Sequence, residues 1–93
     1  MLDPETVKSE LRAFVCRELI RNPRFPLADD DPLVTGGLID SFAIAQIGVF
    51  VEKAFGVYVP DTELTVENMD DLGRMTACVL ATASESDRGG ERG

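Results

Sequence analysis

Ser41-Phe42-Ala43-Ile44-Ala45-Gln46-Ile47-Gly48-Val49-Phe50-Val51-Glu52-Lys53-Ala54-Phe55-Gly56 decides the fold of this 93-residue chain. Serine is a good N-cap, Asp40 places negative charge where a helix dipole favours it, and glycine ends the run. The stretch therefore predicts a helix over 41–55. Between Phe42 and Phe55 only Gln46, Glu52 and Lys53 are polar. A helix apolar on all sides should be buried on all sides. A domain of this length buries only about 60–68% of the surface its unfolded chain exposes, too little to surround any one helix. Ile44, Ile47, Gly48, Val51 and Phe55 have the spacing of a core face. Phe42, Ala45, Gln46, Val49 and Lys53 form a second stripe with the same helical spacing. That second stripe needs a cover, either the loop before the helix or another protein.

Working outward, Asp3-Pro4-Glu5 predicts a helix start, with Asp3 as N-cap and proline at the first helical position. Val7, Leu11, Phe14, Val15 and Leu19 follow at spacings of three and four, and Asn22-Pro23 ends the helix. Residues 22–40 make a long connection containing Pro23, Pro26, Pro32 and the turn pair Gly36-Gly37. Phe25, Leu27, Leu33 and Leu38 punctuate it, so it is expected to pack across the domain. Its run Asp29-Asp30-Asp31 lacks calcium-loop spacing and reads as a solvated turn. After Gly56, Val57-Tyr58-Val59 is too short for more than an extended link. Asp61 to about Asn68 reads as a short helix or turn. Asp70 is expected to cap a last helix carrying Leu72, Met75, Val79, Leu80 and Ala83. The fold class is thus all-α: a small four-helix bundle, three main helices and one short one, with a long first loop. Residues 1–83 form the domain, and the apolar-free tail 84–93 is expected to be disordered.

Composition narrows the function. There is no histidine, which removes the usual general base and every His-dependent triad or metal site. No catalytic residue and no metal ligand set is expected, and the chain does not read as an enzyme. The net charge is -8, which argues against nucleic acid or an anionic membrane as partner. Residues 25–73 hold ten acids and a single base, Lys53, so the charge concentrates in the middle of the chain. Cys16 and Cys78 lie too far apart for a CxxC pair and read as small core hydrophobes. The start has no basic leader and no apolar run approaches a membrane span, so the expected location is the cytoplasm.

The segment Gly37-Leu38-Ile39-Asp40-Ser41-Phe42, an Asp-Ser-hydrophobic triplet opening an amphipathic helix after a long loop, resembles the acyl carrier protein family. Glu52-Lys53-Ala54-Phe55-Gly56-Val57 looks like that family's helix end, Val59-Pro60-Asp61 like its link to the short helix, and Leu64-Thr65-Val66-Glu67-Asn68-Met69 like its approach to the last helix. The likeness covers roughly residues 4–83. It implies that Ser41 receives a phosphopantetheine arm from coenzyme A through a phosphopantetheinyl transferase, and that the arm's thiol carries acyl groups as thioesters. Ser41 would then be an attachment point and not a catalyst, which agrees with the absence of a base to activate it. A phosphate there would sit at the positive end of the helix.

Two departures refine what the resemblance implies. Fatty-acid carriers read Gly-x-Asp-Ser, whereas an extra residue intervenes here, as in stand-alone carriers of specialised metabolism and in aminoacyl or D-alanyl carriers. Fatty-acid carriers also place acids along the outer face of this helix, where Ala43, Gln46 and Lys53 stand here. The expectation is a discrete carrier in polyketide or other specialised biosynthesis, with Asp40, Phe42, Ala45, Gln46, Val49 and Lys53 as its docking face. Its partners would be the transferase, an acyl- or aminoacyl-loading ligase or transferase, and downstream synthase or tailoring enzymes. With Phe14, Phe50 and Phe55 as core fill, short or polar cargo is expected. One alternative is an aminoacyl or peptidyl carrier loaded by an adenylate-forming ligase. Another, of a different class, is a helical adaptor that binds through the Phe42–Val49 stripe and has no prosthetic group.

Overall fold

The computed structural model describes residues 2–92, and side chains over residues 2–85. Its elements are four α-helices: α1 Pro4–Phe14, α2 Ala43–Phe55, α3 Val66–Met69 and α4 Leu72–Arg92. The first helix begins as the sequence requires. The Asp3 carboxylate accepts from the Thr6 N–H and from the Thr6 hydroxyl, each at 3.0 Å, with proline opening the helix. Beyond Phe14 the winding widens to π-helical over Val15–Ile20, where the neighbours Val15 and Cys16 are both buried. The helix leaves its axis at Arg21 rather than at Asn22-Pro23. Arg21 takes a left-handed conformation (φ 66°), a place usually given to glycine, and Asn22 then caps the turn by accepting from the Arg24 N–H.

The long loop is packed, as its apolar residues predict. Leu27, Leu33 and Ile39 are buried in the core, and Phe25 and Leu38 lie against it. Asp29 ties the loop to α1. Lys8 donates to it at 2.9 Å, Arg12 pairs with it, and its backbone carbonyl accepts from the Gly73 N–H. The Lys8 hydrogen bond holds the Asp29 carboxyl below the usual carboxylate range. Asp31 instead caps its own turn, accepting from the Ala28 N–H at 2.9 Å. The acidic run is thus a tether to α1 at one end and a turn at the other.

Gly56 ends α2 in a left-handed conformation (φ 69°) that a side chain would strain. Val57-Tyr58-Val59 is extended, with both valines buried and Tyr58 exposed. A 3-10 turn at Asp61–Glu63 leads into α3, which Thr65 caps through the Asn68 N–H. The expected cap of α4 is corrected: Asp71, not Asp70, accepts from the Arg74 N–H at 2.7 Å. Asp70 is committed elsewhere, as described below. Leu72, Met75 and Val79 are fully buried, and Leu80 and Ala83 lie at the edge of the core. The helix does not stop there. Residues expected as a disordered tail continue it to Arg92, with Gly93 outside the described residues. No proline interrupts α4, and extending a formed helix fixes only one residue per added hydrogen bond.

Candidate functional site

Helix α2 buries one face although most of its residues are apolar. Ala43, Ile44, Ile47 and Val51 are buried, while Asp40, Ser41, Phe42, Ala45, Gln46, Val49 and Lys53 are exposed. All six expected docking residues are therefore exposed. The long loop does not cover them: Phe42 is 80% exposed and Val49 53%. Ala43 is the exception to the expected face, since at 5% exposure it belongs to the core. Its place four residues before Ile47 and eight before Val51 is the signal that assigns it inward.

Capping of α2 differs from the sequence expectation. Asp40, not Ser41, does it: the Asp40 carboxylate and carbonyl each accept from the Ala43 N–H at 3.1 Å. The first turn is tight, with the Ile44 N–H on the Ser41 carbonyl and the Ala45 N–H on the Phe42 carbonyl, each at 3.3 Å. Among the described residues no hydrogen bond engages the Ser41 hydroxyl or the N–H groups of Ser41 and Phe42. The serine at the head of the helix is thus exposed and chemically unengaged, beside two free amide donors at the positive end of the dipole.

The segment that delivers this serine is tied down twice. Asp70, between α3 and α4, accepts from the Leu33 N–H through its carbonyl at 2.6 Å. Its carboxylate accepts from the Val34 N–H at 2.9 Å, the Thr35 N–H at 3.0 Å and the Thr35 hydroxyl at 2.7 Å. The Thr35 bonds pull the Asp70 carboxyl below its ordinary range. The Leu33 carbonyl in turn accepts from the Leu38 and Ile39 N–H groups at 2.8 and 3.0 Å, closing the loop just before Asp40. Gly36-Gly37 makes the closure possible. A Cβ at Gly36 would collide with the Pro32 carbonyl, and Gly37 sits at φ 80°. The turn pair was legible in the sequence, whereas Asp70 lies 35 residues from Thr35 and gave no local signal.

Two concavities adjoin these elements. A small polar depression of about 240 Å³ lies beside Asp40, lined by Glu18, Arg21, Leu38, Ala43 and Gln46 among others. A larger groove of about 910 Å³ runs between Tyr58–Asn68 and α4, and its lining includes no residue of α2. Cys78 lies in that groove. Burial, then the Glu63 carboxylate, pushes its thiol up, so it stays protonated and weakly nucleophilic at neutral pH. Among the described residues no group of side chains could hold a metal ion, and no helix is long and apolar enough to cross a membrane. No protein-family model matches the chain, and no curated protein matches it.

Proposed function

We propose that this protein is a carrier protein, phosphopantetheinylated at Ser41, that holds a biosynthetic intermediate and presents it to partner enzymes. The observation that carries the reading is a division of labour at the head of α2. Asp40 supplies the cap, which leaves the neighbouring Ser41 hydroxyl exposed and unengaged. The residues present fit the group: two unbonded N–H donors at the helix start favour a phosphodiester, and the serine is exposed. The arm would supply a thiol on a flexible chain, where a carboxylic acid is carried as a thioester. The chain's own residues hold the serine in place and offer no base. Asp40 is the adjacent carboxylate, and it is committed to the Ala43 amide. The base for modification must come from the transferase.

The exposed Phe42 and Val49 stripe serves in this reading as the apolar centre of the docking face, with Lys53 and Gln46 at its rim. The cargo is short or polar. Phe14 stacks on Phe50 with ring centroids 4.3 Å apart, and Phe55 meets Phe50 edge-on at 6.0 Å. The one gap in the helix, Gly48, is filled by Leu64, whose Cδ1 lies 2.9 Å from where a Cβ would stand. A long acyl thioester on the protein should therefore hydrolyse at close to the rate of a free pantetheine thioester. Marked protection would contradict this cargo class.

The test of the function is the intact mass of the protein after incubation with coenzyme A and a broad-specificity phosphopantetheinyl transferase. The expected result is a gain of one phosphopantetheine, mapped to the peptide containing Ser41. No gain, with binding of apolar partners retained, would make the protein an adaptor without a prosthetic group.

A further inference from the structure

We propose that Asp70 is a positioning residue for the modification of Ser41, an inference that rests on the carrier reading above. The connection runs through three consecutive clasps. Asp70 binds Leu33, Val34 and Thr35 through four hydrogen bonds of 2.6 to 3.0 Å. The Leu33 carbonyl binds the Leu38 and Ile39 amides, and Asp40 then binds the Ala43 amide at the start of α2. Leu33 is fully buried and Ile39 nearly so, which anchors the apolar side of the same loop. The serine thus stands a few residues beyond a loop tip, Val34-Thr35, whose amides and hydroxyl are held by a single carboxylate.

The rest of the loop cannot replace that anchor. With Gly36 and Gly37 at its tip, the segment has many unfolded conformations for its length. Without the Asp70 carboxylate, the Val34 and Thr35 amides and the Thr35 hydroxyl lose their partner, and only the Leu33 N–H stays bonded, to the backbone carbonyl at position 70. The serine would then occupy a spread of positions relative to the docking face of α2. A transferase bound to that face would find the hydroxyl misplaced, and misplacement by about 1 Å costs on the order of 100-fold in rate. The loss should fall mainly on kcat, because Phe42 and Val49 still present the bound face.

The experiment measures kcat and KM for transfer of phosphopantetheine from coenzyme A to wild type, Asp70→Ala and Asp70→Asn, well below their melting temperatures. Hydrogen exchange at the Leu38 and Ile39 amides is followed in parallel. Asp70→Ala should lose at least tenfold in kcat with KM little changed, and both amides should exchange faster. Asp70→Asn retains an acceptor for the two backbone amides and a donor for the Thr35 hydroxyl, and should recover to within about threefold of wild type. Val79→Ala, destabilised in the core at a residue that makes none of the loop's hydrogen bonds, controls for stability alone and should label at the wild-type rate. Equal labelling of Asp70→Ala and wild type would overturn the inference while leaving the carrier reading intact, as would equal slowing in Val79→Ala. An unlabelled wild type would overturn both.

Discussion

Both faces of α2 carry apolar residues, and these have opposite fates. Ile47 is fully buried, and Val49, two residues on, is half exposed. Hydrophobicity alone does not distinguish them. The inner face packs into the core with the buried loop residues, and Leu64 fills the space at Gly48, whereas Phe42 and Val49 on the outer face stay exposed. The inner face accounts for stability and the outer one is available for association. An apolar residue left in water on a small domain is informative when its neighbours form a continuous stripe beside an unengaged nucleophile.

The same substitution on each face breaks the comparison most sharply. Ile47→Asp would bury an unpaired carboxylate and remove a core side chain worth about 2–5 kcal/mol on truncation alone. Against a typical domain stability of about 5–15 kcal/mol, it should abolish cooperative thermal unfolding as seen by circular dichroism. Val49→Asp should leave helix content and melting temperature nearly unchanged yet slow transfer with the cognate enzyme by about tenfold or more, about 1.4 kcal/mol. Added salt should weaken that docking only slightly, since screening acts on charges and not on apolar contacts. A large fall in the melting temperature of Val49→Asp would return this stripe to the core and refute the docking face.

A smaller effect separates Asp40 from its neighbour. Asp40→Ala removes the cap of α2 and should cost about 1 kcal/mol, which is roughly a 4–8 °C fall in melting temperature for a domain this size. The smallest effect concerns acid. Because Asp70 is more acidic folded than unfolded, its contribution to stability is present above the unfolded value of about 3.9 and fades as pH falls through the lower folded value. The Val34 and Thr35 amide resonances should therefore titrate below about pH 4 in wild type and stay flat in Asp70→Asn. Titration in both would assign the loop's acid response to another carboxylate.

Much of the bundle was legible because helical periodicity is a local signal. The Val7–Leu19 stripe, the inner face of α2 and the Leu72–Ala83 stripe all lie where spacing put them. The errors cluster where two adjacent residues are both competent caps. Asp40 and Ser41 compete at one helix start, Asp70 and Asp71 at another. In the second pair the choice is made by Thr35, far away in sequence, which draws Asp70 out of the cap and leaves Asp71 to take it. The π-helical end of the first helix and the left-handed Arg21 likewise answer to packing that no window of sequence displays. The proposed attachment serine was picked by resemblance, but its freedom from capping could be learned only from Asp40's bond to Ala43.

That freedom is the central claim, and one variant measures it directly. Ser41→Ala should melt within about 0.5 kcal/mol of wild type, as expected for a surface substitution that removes no cap. In the presence of coenzyme A and transferase, its intact mass should not change while wild type gains one phosphopantetheine. A mass gain in Ser41→Ala, or modification mapped to Ser9, Ser84 or Ser86, would contradict the account.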